Sequence, residues 1–231
     1  MSTIPQATSD SADEMVKAES QITLIWQGKV VRAQKEKFVV SNIETVREFI
    51  AHPGAVGVIA VDAIGRFGAV KQYRHPVRSY LIEPVAGLMD KLDETYLESA
   101  QRELLEEAGL ISNRWSHLID LVVSPGGSSE VIRFFLAENC QDSPTGRIWS
   151  QESEEKDMQF FWLSEQDLLG LIESGKISNS PGIAAWLTAF NVLKGDSRVS
   201  AGIAWPLYEH LREGGGLSSL PLDLPNKDGQ L

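Results

Sequence analysis

The sequence predicts an α/β (α+β) protein in which a mixed sheet is packed between helices. Short apolar runs bounded by turn residues are typical of strands, and residues 55–61 form a continuous run suited to a buried one. Elsewhere apolar residues recur at helical spacing, as Ile183, Trp186 and Phe190 do. The chain has 231 residues, 42% of them hydrophobic, so it can bury a sizeable core. Together these features favour one layered domain, alone or with an appendage.

The expected elements follow one another along the chain. A small strand-rich unit occupies residues 20–51, where Ile22, Leu24 and Trp26 alternate with other residues. A break at residues 52–54 separates this unit from a hairpin of two strands. The main elements are strands at 55–61, 67–73, 117–123, 131–138 and 159–163, and helices beginning near Thr95, Ser164 and Pro181.

The chain is expected to divide at three boundaries. Residues 1–19 are polar and poor in apolar side chains, which predicts a disordered tail. The unit at 20–51 precedes a main domain over residues 52–200. Glycines 214–216 and the prolines beyond them predict a flexible C-terminal tail, placed at residues 201–231.

Composition excludes several classes of function. The net charge of −11 and the pI of about 4.9 argue against a nucleic-acid-binding surface. Cys140 is the one cysteine, which rules out an internal disulfide and agrees with a reducing compartment. The four histidines show no spacing typical of metal ligands. No apolar run is long enough to span a membrane and the N-terminus has no signal-peptide form, so a cytoplasmic protein is expected.

Three carboxylates lie within five positions of one predicted helix. Glu103 and Glu107 are four residues apart and share a helical face, with Glu106 beside them. Like charges at this spacing destabilise a bare helix, whereas a divalent cation on that face would remove the repulsion. Hard oxygen ligands of this kind suit Mg²⁺ or Mn²⁺. A solvated acidic face is the alternative for such a cluster in isolation.

The helix that carries these carboxylates is well defined at both ends. Thr95 and Glu98 have the spacing of a capping box, and Gly109 fits the position just past a helix end. An apolar stripe anchors the helix to the core and consists of Leu97, Ala100, Leu104 and Ala108. A helix fixed in this way can hold metal ligands in place, which favours a metal site over a solvated face.

The segment from Gly87 to Leu110 resembles the signature of the Nudix hydrolases. That signature is Gly, five residues, Glu, seven residues, and then Arg-Glu-aliphatic-any-Glu-Glu-any-Gly-aliphatic. Here Gly87 is followed by six residues, Glu94, seven residues and the whole second half from Arg102 to Leu110. The extra residue lies in the loop before the helix, where an insertion costs little and leaves the carboxylate geometry intact.

The resemblance implies the Nudix α/β/α sandwich with a mixed sheet and a divalent-metal site. The implied metal ligands are three carboxylates and one backbone carbonyl, those of Glu103, Glu106, Glu107 and Ala86. Gly87, Glu94 and Arg102 are expected to support the site. Arg102 would pair with Glu94 or Glu106 and orient the metal helix.

Two further segments resemble the ADP-ribose pyrophosphatase branch of this family. Pro125 lies sixteen residues after Gly109, as is typical of the branch, and residues 124–130 read SPGGSSE. The resemblance implies that Pro125, Gly126 and Glu130 bind substrate, with Glu130 on the ribose or its metal-water network. An ordinary Ser-Pro-Gly-Gly turn would explain the segment without the resemblance.

An arginine is also expected in the substrate site. Arg74 ends a strand and matches an arginine that holds substrate phosphate in the branch, a role that suits the planar guanidinium. Arg78 is a weaker candidate for the same role. A surface ion pair, which contributes little energy, is the alternative for Arg74.

An acidic loop at residues 150–157 precedes the strand at 159–163. In the branch that this chain resembles, a glutamate of that loop acts as the catalytic base or reaches the metals. Its placement against the following strand selects Glu154 first and Glu155 second. With Glu103 and Glu107 these residues form the expected catalytic set, and a solvated acidic loop is the alternative.

The function implied is metal-dependent hydrolysis of ADP-ribose to AMP and ribose 5-phosphate. The resemblance also implies a homodimer in which the unit at 20–51 reaches across to the partner, against the alternative of an appendage that is not exchanged. Stacking on adenine would need an aromatic residue such as Trp26 or Phe38. A small-molecule substrate is expected, with no nucleic-acid or membrane partner.

Two other functions remain open. A broader pyrophosphatase of nucleoside diphosphate sugars or dinucleotides would share the metal helix, and the segment 124–130 favours ADP-ribose over it. A non-catalytic Nudix-like sensor of ADP-ribose usually lacks metal carboxylates, and none is lost here. Release of AMP from ADP-ribose with and without Mg²⁺ would distinguish an enzyme from a sensor.

Overall fold

The structure is a computed structural model and describes residues 13, 15–16, 19–89, 91, 93–147, 157–195 and 197–213. Its strands are β1 (Ser20–Gln27), β2 (Arg32–Val40), β3 (Ile43–Ala51), β4 (Ala55–Asp62), β5 (Phe67–Arg74), β6 (Ser79–Glu83), β7 (Val85–Leu88), β8 (Leu110–Ile111), β9 (Arg114–Val122), β10 (Val131–Asp142), β11 (Gln159–Leu163) and β12 (Val199–Ser200). Its α-helices are α1 (Tyr96–Glu103), α2 (Glu165–Glu173), α3 (Ser180–Lys194) and α4 (Pro206–Glu213).

A mixed sheet with the strand order β11-β5-β4-β10-β9-β12 forms the centre of the protein. β4 and β10 run parallel, and the other neighbours along this path run antiparallel. On its other side β4 pairs with β7 over its first half and meets β5 at its end. β4 is buried over residues 55–61, as expected for a strand that has neighbours on both edges.

Helices cover both faces of this sheet. On one face, α2 and α3 pack Leu168, Trp186 and Phe190 into a core that also contains Ile59 and Phe134. On the other face, Ala100 of α1 and Leu104, the residue that follows α1, belong to a second core with Val58, Val85 and Phe135. The expected α/β/α sandwich with a mixed sheet is therefore confirmed.

Local hydrogen bonds fix the turns and helix starts between these elements. Asp62 Oδ1 accepts from the backbone N–H of Ile64 at 3.0 Å and of Arg66 at 2.8 Å, which closes the hairpin between β4 and β5. Ser164 caps α2 by accepting from the backbone N–H of Asp167. The predicted strand at 159–163 coincides with β11.

Residues 20–51 form a separate three-stranded antiparallel meander, β1-β2-β3. Within it only Gln34 and Ala51 are buried, so the meander encloses no apolar core of its own. It exposes nine large apolar side chains, those of Ile22, Leu24, Ile25, Trp26, Val39, Val40, Ile43, Val46 and Ile50. Ile50 ties the meander to the turn at 124–130, donating to the Gly127 carbonyl at 3.0 Å and accepting from the Ser129 N–H at 3.0 Å.

The prediction of a tail from residue 201 onward is wrong for residues 201–213. These residues include α4, and Trp205 is 2% exposed in a small core with Tyr96, Leu207 and Tyr208. The glycines and prolines that suggested a tail lie further along, in residues 214–231, and those residues are outside the described part of the chain.

A buried arginine holds this C-terminal segment in place. Arg133 is fully buried and donates to the backbone carbonyls of Ile203 at 2.7 Å and Ala204 at 3.0 Å. Its guanidinium also forms two 2.7 Å hydrogen bonds to the Asp120 carboxylate and lies over the Trp205 ring at 4.8 Å. The segment therefore belongs to the folded domain.

None of the helices in the described residues is both long and apolar enough to cross a membrane.

Candidate active site

The helix that was expected to carry the metal ligands begins as predicted. Thr95 Oγ1 accepts from the Glu98 N–H at 3.2 Å, and Glu98 Oε2 accepts from the Thr95 N–H at 2.8 Å, which completes a capping box. The end of the helix differs from the expectation of one continuous α-helix. Residues 104–108 form a π-turn, and the helix stops at Gly109, whose φ of 69° is in the left-handed region.

The π-turn carries two of the three predicted metal ligands. Glu106 and Glu107 lie in it, while Glu103 is the last residue of α1. Glu103 and Glu107 are buried, whereas the Glu106 side chain is 39% exposed. Single π-turns inside α-helices are frequent at functional sites, where they change the direction of side chains without ending the helix.

β7 packs against the acidic face of this helix. The backbone N–H of Ala86 donates to Glu107 Oε2 at 3.1 Å. A Cβ atom placed on Gly87 would lie 2.0 Å from Cδ of Glu103. Because position 87 has no side chain, the Glu103 carboxylate can lie in that space. β7 therefore contacts two of the three carboxylates, those of Glu103 and Glu107.

Arg102 ties the carboxylates together. Its Nη1 donates to Glu103 Oε1 at 2.5 Å and to Glu106 Oε2 at 3.1 Å, and its Nε donates to both oxygens of Glu94 at 3.0 Å. Burial acts to lower the pKa of Arg102, but Glu103, Glu94 and Glu106 outweigh it and raise that pKa above its usual value. The arginine therefore stays charged and orients the acidic face.

Glu94 is held in turn by several donors. Ser99 Oγ donates to Glu94 Oε2 at 2.9 Å, and Lys91 Nζ lies 3.3 Å from Oε1. Partial burial acts to raise the pKa of Glu94, yet the hydrogen bonds from Arg102 and Ser99 bring it below its usual value. Arg102 thus pairs with both of the partners that the sequence suggested, and Glu94 remains ionised.

The acidic face has the donor chemistry of a divalent-cation site. Three carboxylates lie on one helix end, two of them buried, and the space at Gly87 is shaped for one of them. Among the residues that the structure describes, no three His, Cys, Asp or Glu side chains are gathered closely enough to make a complete metal site. The Arg102 guanidinium lies between two of these carboxylates and donates to Glu103 and Glu106.

A cavity of about 490 Å³ lies beside β7. Its wall includes Arg74 and Glu130, which were predicted to bind substrate, and the backbone of Ala86 and Gly87. It also includes residues that were not predicted, and of these His52, Glu83 and Asn179 carry polar side chains with assigned partners. The structure therefore places the predicted phosphate-binding arginine at the same cavity as β7, the strand that packs against the acidic helix end.

Arg74 is fixed by a buried carboxylate. Its Nε donates to Glu83 Oε2 at 2.9 Å, and its Nη2 lies 2.8 Å from the same oxygen. Glu83 is 4% exposed and its other oxygen accepts from Asn179 Nδ2 at 2.8 Å. The alternative expectation for Arg74, a surface ion pair, does not apply, because its partner Glu83 is buried.

His52 and Glu130 lie at the junction between the meander and the main domain. The backbone N–H of His52 donates to Ser129 Oγ at 3.1 Å, and His52 Nδ1 accepts from the Gly54 N–H at 3.1 Å. Burial lowers the pKa of His52, and the nearby charge of Glu130 opposes that shift. The imidazole is therefore neutral at pH 7, with its proton on Nε2.

The remaining predicted substrate residues lie outside the cavity wall. Pro125 and Gly126 lie in an exposed turn, closed by hydrogen bonds from the N–H groups of Gly127 and Ser128 to the Ser124 carbonyl, and neither lines the cavity. Arg78 follows a short 3₁₀ turn with φ of 51°, also outside the cavity wall. Their roles in binding remain predictions.

The two candidates for the catalytic base, Glu154 and Glu155, lie outside the described residues. The residues that flank this segment are described. Arg147 donates from Nε to the Glu106 carbonyl at 3.2 Å and from Nη1 to the Met158 carbonyl at 3.2 Å. Arg147, which precedes the segment, thereby links Met158, which lies just beyond it, to the π-turn that carries Glu106.

Comparison with known proteins now adds to this geometry. The NUDIX domain model matches residues 51–186, more than half of the chain. The chain belongs to the NUDIX family. The matched range contains the metal helix, Arg74 and the turn at 124–130, while the β1-β2-β3 meander and α4 lie outside it. Nudix hydrolases generally need divalent metal ions.

Two relatives carry the same name in different bacteria. The ADP-ribose pyrophosphatase of Mycobacterium tuberculosis is 38% identical over 149 residues, which cover 64% of this chain and 70% of that protein. The ADP-ribose pyrophosphatase of Bacillus subtilis is 32% identical over 168 residues, covering 72% of this chain and 87% of that protein. A solved structure described as an ADP compounds hydrolase matches 81% of this chain and all of that chain, with a TM-score of 0.67 and 19% identity, and supports the fold.

Sequence reasoning missed the residues that hold this Nudix site in place. Glu83, Asn179 and Arg147 act through long-range contacts; Asn179 and Glu83, for example, are 96 residues apart in the chain. Two local signals were present. Asn179 precedes Ser-Pro at a predicted helix start, the usual place for a capping residue, and Glu83 stands just before Pro84 in a short apolar strand.

Proposed function

We propose that this Nudix hydrolase cleaves the diphosphate of ADP-ribose to give AMP and ribose 5-phosphate. One observation carries the proposal: Arg74 and Glu130 line a cavity that also reaches Ala86 and Gly87, against which the acidic helix end packs. On this proposal, phosphate would bind on one side of β7 next to a metal held by the acidic helix end. The names of the two ADP-ribose pyrophosphatases at 38% and 32% identity support this choice of substrate.

The charge of the substrate explains why such a site needs a cation. A diphosphate and a cluster of three glutamates repel each other, and the chain as a whole carries a net charge of −11. Divalent cations held by the helix would neutralise the phosphate oxygens and lower the pKa of a bound water. We propose Mg²⁺ as the physiological ion, with Mn²⁺ as a substitute, because both prefer carboxylate oxygens.

The ligands of that cation would be Glu103, Glu106 and Glu107, joined by the Ala86 carbonyl. A cation that bound Glu103 Oε1 and Glu106 Oε2 would replace the contacts that these two oxygens make with Arg102. Glu94 accepts from Arg102 Nε in the structure, so it would keep the guanidinium beside the helix during this exchange.

The other groups bind and orient the substrate. Arg74 would donate to the diphosphate and stabilise the negative charge that grows in the transition state. Glu130 would accept from the ribose hydroxyls. A glutamate of the acidic loop, Glu154 first and Glu155 second, would take the proton from the attacking water.

We also propose that the protein is a homodimer and works in the cytoplasm. The β1-β2-β3 meander exposes nine large apolar side chains and buries almost nothing, and a small sheet of this kind needs another surface to be stable. A second copy of the chain would supply that surface. The single cysteine agrees with a reducing compartment.

A substrate panel tests the proposed activity. AMP release should be measured from ADP-ribose, ADP-glucose, NADH and diadenosine polyphosphates, with Mg²⁺ and with excess chelator. We expect the highest kcat/KM for ADP-ribose and no turnover with the chelator. A higher value for another nucleoside diphosphate would replace the substrate and keep the enzyme class. Binding of ADP-ribose without turnover under any metal would instead favour the sensor.

A further inference from the structure

A chain of hydrogen bonds reaches Arg74 from the start of α3. Glu83, the last residue of β6, is 4% exposed. Its Oε2 accepts from the Arg74 guanidinium at 2.9 and 2.8 Å, and its Oε1 accepts from Asn179 Nδ2 at 2.8 Å. Both carboxylate oxygens are therefore used, one by each neighbour.

Asn179 is itself held in place. Its Oδ1 accepts from the backbone N–H of Gly182 at 2.7 Å, which caps the 15-residue helix α3. Gly182 packs closely on Pro84, since a Cβ there would lie 2.7 Å from Pro84 Cδ. The start of α3 and Pro84 are thus in close contact. The Asn179 amide has one orientation that satisfies both of its contacts, with the Gly182 N–H and with Glu83.

We infer that Glu83 is a positioning residue that, together with Asn179, fixes the Arg74 guanidinium for the diphosphate of the substrate. This inference rests on the proposed function of the cavity. Arg74, Glu83 and Asn179 all line that cavity. Glu83 engages the Nε edge of the guanidinium and leaves the Nη1 donors to meet phosphate oxygens. An arginine with 43% side-chain exposure would otherwise sample many rotamers before binding.

Glutamine cannot replace this carboxylate without a loss. Its single acceptor oxygen can serve either Arg74 or Asn179, and its NH₂ group would then face the other donor. Glu83→Gln should therefore release Arg74 while changing the volume of the side chain very little. Asn179→Ser should act from the other end, because serine still caps α3 but cannot reach Glu83 as a donor.

A double-mutant cycle separates positioning from a structural role. The variants are Arg74→Ala, Glu83→Gln, Asn179→Ser and the pairs of Arg74→Ala with each of the other two, assayed for kcat and KM on ADP-ribose. We expect Arg74→Ala and Glu83→Gln to raise KM by about 10- to 100-fold and Asn179→Ser by about 3- to 10-fold. In the Arg74→Ala background, neither of the other changes should raise KM further.

Two results would overturn the inference. Effects on KM that multiply with Arg74→Ala would show that Glu83 does not act through Arg74, and so would an unchanged KM in Asn179→Ser. If Glu83→Gln does not fold, as its melting temperature would show, the Asn179→Ser cycle decides alone. Glu173→Gln, an exposed carboxylate at the end of α2, is the matched control and should leave KM unchanged.

The proposed function can fail separately. If the wild-type enzyme does not cleave ADP-ribose, the same cycle can be read from the affinity for ADP, measured by calorimetry. Coupling between Arg74 and Glu83 in ADP binding would keep the positioning role even though the substrate was wrong. Independent effects in both measurements would reject the positioning role whatever the substrate is.

Discussion

The carboxylate of Glu103 lies where a side chain at position 87 would have to be. A Cβ on Gly87 would come within 2.0 Å of Glu103 Cδ, 2.2 Å of Oε1 and 2.5 Å of Oε2. β7 and the metal helix can therefore approach this closely only if position 87 is glycine. The first glycine of the Nudix signature acts here by leaving space rather than by giving the backbone freedom, and it determines where the carboxylate of Glu103, a proposed metal ligand, lies.

Gly87→Ala should move the Glu103 carboxylate out of its place. We expect kcat/KM to fall by about 100-fold, because displacements of about 1 Å at a catalytic group cost about that much. The measurement is kcat/KM on ADP-ribose, with Mg²⁺ titrated to test whether more metal restores activity. Gly170→Ala is the matched control, since position 170 is exposed on α2 with open space around it. An active Gly87→Ala enzyme would show that Glu103 is not needed at that position.

Glu107→Gln should separate metal binding from folding. Glutamine can still accept from the Ala86 N–H through its amide oxygen, so β7 should stay in place and the melting temperature should change by only a few degrees. The lost negative charge removes a cation ligand, and we expect kcat to fall by at least about 100-fold. Mn²⁺ affinity measured by electron paramagnetic resonance should fall in parallel. Near-normal kcat would contradict the metal assignment, and Glu173→Gln again serves as the control.

Much of this architecture could be read from the sequence, for physical reasons. The continuous apolar run at 55–61 and the capping box at Thr95 and Glu98 are local signals, and both elements formed where they were expected. The π-turn at 104–108 was not foreseen, because a shift from i−4 to i−5 hydrogen bonds leaves the same residue types in place. The sequence therefore predicted which carboxylates lie on the helix and in what order. It did not predict the directions in which their side chains point.

The C-terminal error has a different cause. Glycine and proline content suggested a tail, and no local pattern in residues 201–213 was used against it. Trp205 is buried beneath the guanidinium of Arg133, which is remote in the chain and is held by Asp120. Glu83 and Asn179 escaped notice for the same reason, since a hydrogen bond across 96 residues has no local pattern. Long-range polar contacts were the part of the site that sequence alone did not supply.

Arg133→Met should destabilise the protein strongly. It leaves Asp120 and the carbonyls of Ile203 and Ala204 without their donor, and breaking such a buried pair typically costs about 3–5 kcal/mol of the free energy of unfolding. Urea unfolding curves of the wild type and the variant, fitted with one shared m-value, measure this loss in the free energy of unfolding. Lys194→Met breaks an exposed pair with Glu165 and should cost less than about 1 kcal/mol. Equal losses in the two variants would show that the C-terminal segment is not held by Arg133.

Lowering the pH should weaken the contact between Asp120 and Arg133 and so reduce the free energy of unfolding. Burial acts to raise the pKa of Asp120, but hydrogen bonds from Arg133 and His117 bring it below its usual value. A carboxyl group of this kind contributes stability above its unfolded pKa of 3.8 and loses it as the pH falls through the folded pKa. The wild-type free energy of unfolding should therefore drop more steeply below about pH 4 than that of Asp120→Asn. Parallel curves would contradict this.

The exposed apolar surface of the meander predicts how the chain behaves in solution. Sedimentation should give a mass of about twice the 25.5 kDa of one chain if the β1-β2-β3 meander is the dimer contact. Leu24→Lys, at a side chain that is 55% exposed, should shift the equilibrium toward the monomer and leave the melting of the main domain unchanged. Ile64→Lys, at a residue 77% exposed in the turn between β4 and β5, is the control and should stay dimeric. A monomeric wild type would reject the dimer.

The lowered pKa of His52 predicts a second pH range, near neutrality, in which the free energy of unfolding changes with pH. Burial lowers its pKa below 6.5 and Glu130 only partly offsets this, so the folded protein takes up a proton less readily than the unfolded chain. The unfolded state then binds more protons between the folded pKa and 6.5, and the free energy of unfolding should decrease as the pH falls through that window. His52→Asn keeps an acceptor for the Gly54 N–H and cannot titrate, so its stability should be flatter between pH 7 and pH 5. If the His52→Asn curve kept the wild-type slope, another group would be responsible for it.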